Sequence, residues 1–287
     1  MSYNYTNDKS KSEELKSKTL FIFDMDGTIY LDNKPLPFAI DFVGKIKNDA
    51  SKKYVYFTNN ASKDPQAYID KLKKIGFPAD TGDVLTSADV LIKYLKLYRK
   101  DKSVYLVGTP LLEDMFRENR INLFFPDENS GYIQKNQSAP DIVVSSFDLS
   151  LTYFKLERAC TYIRNGAEWL TTHPDINCPV EHGYIPDCGA INELIKSSTG
   201  KPLPKAFGKP HSEVVAMLEE IYKTDRKNMV MFGDRLYTDI ALGKNNGMLA
   251  VLLLTGEASL EEAIALPGEL QPDLIFNNLE EIYSIFE

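Results

Sequence analysis

Apolar residues fall in short runs along the chain, and between the runs they recur at helical spacing. Runs of this kind, bounded by polar turns, read as strands. They stand at "TLFIF" (19–23), "KYVYFT" (53–58), "SVYLVG" (103–108), "DIVVSS" (141–146), "EWLTT" (168–172), "MVMFG" (229–233), "LAVLLL" (249–254) and "DLIF" (273–276). Helical period covers "PFAIDFVGKIKND" (37–49), "DPQAYIDKLKKIG" (64–76) and "SADVLIKYLKLYRK" (87–100), the second closed by Gly76. Further helices are expected around 110–119, 152–165, 190–199, 211–222 and 237–246, with one more closing the chain. Strand and helix alternate almost throughout. That order predicts an α/β fold, a parallel sheet covered by helices.

The alternation is interrupted near Asp83 and in "STGKPLP" (198–204). These boundaries predict a Rossmann-like core made of residues 18–84 and 203–287, with an α/β domain inserted at 85–202. Residues 1–17 are polar and charged and read as a flexible tail. The stretch 173–189, rich in Pro, Cys, His and Gly, reads as a loop.

Composition narrows the function classes. The 287 residues are 43% hydrophobic and 26% charged, which allows a sizeable core. Net charge is −8, an argument against nucleic-acid or anionic-membrane partners. No apolar stretch approaches the ~20 residues that span a bilayer. The first seventeen residues lack the apolar centre of a secretion signal. Three cysteines, Cys160, Cys178 and Cys188, read most simply as reduced thiols in a cytoplasm.

Polar clusters follow three of the strands: Asp24 and Asp26 after "TLFIF", "TNNAS" (58–62) at the end of "KYVYF", and "GDRLYTD" (233–239) after "MVMF". In open parallel sheets, ligands bind outside the carboxyl ends of the strands. Residues i and i+2 of a strand share a face about 6–7 Å apart. Asp24 and Asp26 at that spacing can straddle a phosphoryl-sized group, one attacking while the other handles the leaving-group proton. Asp-Gly is equally ordinary turn chemistry, so this stretch alone leaves turn and site open.

Asp234 reads alone as a helix cap and Asp239 as a solvated first-turn acid. Beside Asp24, these carboxylates would crowd one crevice and need a cation. An all-oxygen set with room for water suits Mg²⁺. Thr58, Asn59 and Asn60 form either a plain turn or a set of hydroxyl, amide and N–H donors to an anion. Lys209, in "GKPHSE" (208–213), is a surface lysine by default. In the same crevice it would pair with Asp24 and a phosphoryl oxygen.

Taken together, "DMDGT" (24–28), "TNN" (58–60), Lys209 in "GKP" and "GDRLYTD" resemble the four ordered motifs of the haloacid dehalogenase superfamily of phosphotransferases. "SFDLSLTY" (146–153), "THPDINCP" (172–179) and "GDRLYTDI" are similar to subfamily IIA, the para-nitrophenyl phosphatase-like and N-acetylglucosamine-operon phosphatases. The resemblance spans roughly residues 18 to 287.

It implies a Mg²⁺-dependent phosphatase that works through an aspartyl-phosphate on Asp24. Asp26 would be the acid and then the base. Thr58 and Asn59 would clamp phosphate, and Lys209 would neutralise charge. Asp24, Asp234 and the backbone carbonyl of Asp26 would hold the metal, and Asp239 would orient its water shell. The inserted domain would be a cap that closes over the site and excludes water. Its size implies a small phosphorylated metabolite as substrate. Asn60, Glu181, His182, Tyr184 and Asp187 would be candidates for specificity. A homo-oligomer is compatible with the resemblance, since cap-mediated dimers occur in the family.

Three other readings stay open at this stage. A receiver-like switch could accept phosphate on Asp24, but it would need far fewer residues and no inserted domain. A dehalogenase would use a similar Asp without metal, although Asp26 suits phosphoryl chemistry better. A non-catalytic binding protein should show gaps in the motif set, and there are none. Zinc at His173, Cys178, His182 and Cys188 is set aside, because their spacing fits no paired-ligand pattern. Trp169 reads as core, and His211 as the start of its helix.

Overall fold

The computed structural model describes residues 9–127, 138–180 and 183–287. In chain order the strands are β1 (Leu20–Phe23), β2 (Tyr30–Leu31), β3 (Lys34–Pro35), β4 (Lys53–Thr58), β5 (Val84–Thr86), β6 (Val104–Val107), β7 (Ile142–Ser145), β8 (Glu168–Thr171), β9 (Asn177–Val180), β10 (Gly183–Pro186), β11 (Lys205–Ala206), β12 (Met229–Gly233), β13 (Leu249–Leu253) and β14 (Leu274–Phe276). The chain divides into two compact units. One runs to Thr58 and takes in Pro65–Leu85 and Lys209–Glu287; the other holds Asn59–Asp64 and Thr86–Gly208.

The first unit is built on a six-stranded sheet of order β14-β13-β12-β1-β4-β5. β1 pairs in parallel with both β12 and β4, so Phe23 stands beside Phe232 and Tyr56. The carboxyl ends of these three strands therefore emerge along one edge. The chain leaves β1 toward β4 on one side and later returns through β12 on the other. This is the topological switch point at which open α/β sheets bind ligands. β1, β12 and β13 are buried along their whole length, as their unbroken apolar runs require. The ring of Phe23 stacks on Phe232 at 4.9 Å, and Phe42 packs edge-on against both at 5.9 and 5.7 Å. Phe42 belongs to the helix Ala39–Asn48, which buries Ala39, Phe42, Val43 and Ile46 at helical spacing. Gly76, at φ +100°, closes the helix Pro65–Lys74 as the sequence predicts.

The strands β2, β3 and β5 and a short helix, Leu260–Ala265, are additions to the sequence reading, and two further features of this unit differ from it. Residues Lys9–Ser17, expected to be a flexible tail, form a helix. The segment carries a single large apolar residue, so periodicity has nothing to register. Tertiary contacts hold it: Leu15 is fully buried in the core, and Lys18 Nζ donates to Glu14 Oε1 (2.9 Å) and to the Lys227 carbonyl (2.6 Å). The helix expected at 237–246 begins with a π turn, Leu236–Ile240, before Ala241–Asn246 continues as α-helix. The N–H groups of Asp239 and Ile240 both donate to the Arg235 carbonyl at 3.1 Å, and the five-residue bond widens the turn.

The second unit has a parallel four-stranded sheet of order β11-β8-β7-β6. Tyr105, Val143 and Trp169 of the sheet pack with Ala159, Tyr162 and Ile195 of two helices, Tyr153–Arg164 and Cys188–Thr199. Trp169 is thus core, and its indole N–H donates to Ser145 Oγ at 2.9 Å. β9 and β10 pair antiparallel inside the stretch expected to be loop. Pro179 and Pro186 lie within it and mask the strand signal. β11 joins this sheet beside β8. At two residues it is too short to show as a strand in the sequence.

Candidate active site

Asp24 is the first residue past β1, and its N–H still donates to the Phe232 carbonyl of β12 at 2.9 Å. The ladder fixes its backbone, and its side chain is largely buried. The chain then turns sharply. Gly27 adopts φ +84°, and its N–H donates to the Tyr30 carbonyl at 2.8 Å. The turn separates the two acids that the sequence places on one strand face. Asp24 points into the protein, whereas Asp26 is exposed. Partial desolvation pushes the Asp26 carboxyl up in pKa, the Lys71 ammonium pulls it down, and the Asp24 carboxylate pushes it up again; the net shift is upward. A carboxyl that holds its proton is suited to donating it.

Lys209 is buried and pairs through Nζ with Asp24 Oδ1 and, at 2.7 Å, with Asp239 Oδ1. Burial alone would discharge this amine, but Asp239 and Asp24 outweigh it and the ammonium is favoured. Asp234 and Asp239 are both buried. Asp234 is pushed up to about 6 by burial and then by the Asp24 charge, against the Glu257 N–H, Arg235 and Lys209. Asp239 is also driven up by burial, with Lys209 opposing and Asp24 and Asp234 adding to the shift. Arg235 is held in its charged form by Asp24, Asp234 and Asp239, against its own burial.

One oxygen each of Asp24, Asp234 and Asp239 lies within 4.8 Å of the others. Three carboxylates this close, two of them displaced upward, form an over-negative pocket that a small hard cation would neutralise. The surrounding glycines leave no slack. A Cβ on Gly27 or Gly256 would collide with Asp234, and one on Gly233 with Asp239. The donor set therefore fits Mg²⁺.

Thr58 ends β4, half-buried, at the same sheet edge. Asn59 and Asn60 belong to the second unit. There Asn59 Nδ2 donates to Asp175 Oδ1 at 3.0 Å, and the Asn59 carbonyl accepts from Ser87 Oγ at 2.6 Å. Asn60 Oδ1 accepts from the N–H and hydroxyl of Ser62 at 2.8 and 2.6 Å, a local Asx turn. Tyr184 lies exposed on β10. Asp187 is buried: its Oδ1 caps the helix Cys188–Thr199 through the Cys188 N–H (2.6 Å) and lies 2.9 Å from His173 Nε2. Glu181 and His182 lie outside the described residues.

Thr28 and Arg235 lie inside the quoted motifs without a role of their own in the sequence reading, and the segment Thr255–Ala258 is absent from it. Thr28 Oγ1 lies 3.4 Å from Asp234 Oδ1, and the Glu257 N–H donates to Asp234 Oδ2 at 2.8 Å. "TGEA" follows the apolar run of β13 and so obeys the rule that flagged the other strand ends. It matches none of the motifs that carry the resemblance.

Residues 21–122 match the model of a haloacid dehalogenase-like hydrolase family, and residues 206–282 match a second, related hydrolase-like model. The 5'-nucleotidase YutF of Bacillus subtilis is 33% identical over 86% of this chain and 91% of its own. The acid sugar phosphatase of Staphylococcus haemolyticus is 30% identical over 95% and 98%. The crystal structure of a 4-nitrophenylphosphatase from Thermotoga maritima superposes with a TM-score of 0.82 at 38% identity, covering 94% of this chain and 98% of that one. The chain belongs to the haloacid dehalogenase-like hydrolases, on the side of subfamily IIA, and it is a phosphatase.

Proposed function

We propose that the protein is a Mg²⁺-dependent phosphomonoesterase acting on small phosphorylated metabolites through an aspartyl-phosphate on Asp24. The observation that carries this reading is the shared ammonium of Lys209, which joins Asp24 to Asp239 in a buried cluster with Asp234. A glycerol phosphate phosphatase of Mycobacterium tuberculosis, 25% identical with a TM-score of 0.79 over 93% of this chain and 77% of its own, was crystallised in complex with magnesium. Relatives that carry the names 5'-nucleotidase, acid sugar phosphatase and 4-nitrophenylphosphatase point to small phosphoesters as a class.

In this reading Asp24, Asp234 and the backbone carbonyl of Asp26 would hold Mg²⁺, with Asp239 placed to accept from water bound to it. The ion supplies charge neutralisation between the attacking carboxylate and the phosphoryl oxygens. An Asp24 carboxylate oxygen forms the new bond to phosphorus as the ester P–O bond breaks. Asp26 gives its proton to the departing alkoxide. Asp26 then takes a proton from water, whose oxygen bonds to phosphorus as the Asp24–phosphorus link breaks, and inorganic phosphate leaves. Thr58 and the backbone of Asn59 donate to the equatorial oxygens while Lys209 balances their charge, so the work is positioning and electrostatics. Asn60, Tyr184, Asp187, Glu181 and His182 are the candidates for substrate selection.

The test is phosphate release from a panel of sugar phosphates, nucleoside monophosphates, glycerol phosphate and para-nitrophenyl phosphate, with Mg²⁺ and with excess EDTA. Release that needs Mg²⁺ is expected. Turnover of haloacids in EDTA would favour a metal-free dehalogenase, and a stable phosphoprotein without turnover would favour a switch.

A further inference from the structure

The loop after β13 wraps the Asp234 carboxylate. The Glu257 N–H donates to Asp234 Oδ2 at 2.8 Å, and the Ala258 N–H donates to the Asp234 carbonyl at 3.0 Å. Thr255 Oγ1 donates to the Gly27 carbonyl at 2.6 Å, which ties the same loop to the turn that carries Asp26. Gly256 lies against Asp234 so closely that a Cβ there would collide with Oδ2. The loop is in turn held from the π turn. Arg235 Nε pairs with Glu257 Oε2 at 3.0 Å, and the Tyr237 hydroxyl donates to the same oxygen at 3.3 Å.

We propose that Thr255–Ala258 is a positioning clamp for the cation site. It engages Asp234 Oδ2, leaves Oδ1 turned toward Thr28 and the cation, and fixes the distance between Asp234 and the Gly27 turn. The inference rests on reading Asp234 as a cation ligand. A carboxylate with one oxygen anchored by a backbone N–H has one orientation in which to meet a metal, and such outer contacts govern affinity. Thr255 provides the second tether. Without its hydroxyl the Gly27 carbonyl loses a partner, and the turn bearing Asp26 can shift relative to Asp234. Glu257 acts through its backbone at Asp234 and through its side chain at Arg235, so the clamp and the π turn hold each other.

The experiment measures Mn²⁺ binding by electron paramagnetic resonance, without substrate, for wild type, Gly256→Ala, Thr255→Val, Thr255→Ser and Asp234→Asn. Gly268→Ala is the control, since its Cβ meets nothing within 4 Å. Gly256→Ala and Thr255→Val are expected to weaken Mn²⁺ roughly 10- to 100-fold, the range for outer-contact changes. Thr255→Ser and Gly268→Ala are expected to bind as wild type, and Thr255→Val is expected to melt cooperatively in EDTA, lowered only by the loss of one hydrogen bond. If Gly256→Ala does not fold, Thr255→Val decides. Wild-type Mn²⁺ affinity in Thr255→Val and in any folded Gly256→Ala, with binding lost in Asp234→Asn, overturns the clamp and leaves the site. Binding unaffected by Asp234→Asn overturns the reading of the site itself.

Discussion

Lys209 Nζ lies 2.7 Å from Asp239 Oδ1 while also pairing with Asp24, so one buried ammonium joins the strand-end motifs of β1 and β12. Removing one partner of a buried ion pair leaves an uncompensated charge, which costs about 3–5 kcal/mol. Lys209→Met is therefore expected to lose stability on that order in urea unfolding of the metal-free protein. Adding Asp239→Asn to Lys209→Met should recover part of the loss. A Lys209→Met protein as stable as wild type would show that the ammonium is not the charge balance of the cluster.

Thr58 closes β4 at the sheet edge that carries Asp24. Thr58→Val keeps the shape and removes the hydroxyl. If that hydroxyl donates to phosphate in the transition state, kcat/KM with para-nitrophenyl phosphate should fall by about 100-fold, as for loss of one such donor. Stability should change little. An unchanged kcat/KM would remove Thr58 from the phosphate site.

His173 sits buried with Asp187 2.9 Å from Nε2, Asp175 near by, and the Thr172 and Ser87 hydroxyls at Nδ1 (2.9 and 3.5 Å). Burial lowers the imidazole pKa, but Asp187 and then Asp175 raise it more, and the net shift is upward. A group raised in the folded state contributes its full stability below its unfolded value of about 6.5 and loses it as pH rises through the folded pKa. Asp187→Asn keeps the helix cap while removing the charge. The stability advantage of wild type over Asp187→Asn, from urea unfolding, should be larger at pH 6 than at pH 9. A difference that is flat with pH, or grows upward, contradicts the pairing.

Leu15 is fully buried in the core although its segment reads as polar tail. Leu15→Ala should cost about 2–5 kcal/mol, the usual range for a large-to-small core change. No measurable cost would return residues 9–17 to the status of a tail.

The central sheet was legible because β1, β12 and β13 are buried on both faces, and their sequences have no room for polar residues. Asp24 was conspicuous as an acid at the end of such a run, whereas Asp234 and Asp239 read alone as a helix cap and a solvated acid and were singled out only together with Asp24 and the motif resemblance. What escaped depends on contacts distant in sequence or on backbone groups. The helix around Leu15 is held by docking rather than by its own periodicity. β11 is two residues long and defined by its neighbour β8. The π turn follows from how the Asp239 and Ile240 N–H groups share one carbonyl. The clamp at Thr255–Ala258 reaches Asp234 mainly through N–H groups that every residue but proline carries, so side-chain identity does not announce it.

The claim on which the account turns is that Asp24 takes the phosphoryl group. The direct measurement is acid-quenched mass spectrometry of Asp26→Asn, in which slowed hydrolysis should let the intermediate accumulate, mixed with Mg²⁺ and para-nitrophenyl phosphate. The account predicts one added phosphoryl group on the peptide containing Asp24, absent when Asp24→Asn is combined with it. A phosphoryl group on another residue, or wild-type turnover by the Asp24→Asn protein, would contradict it.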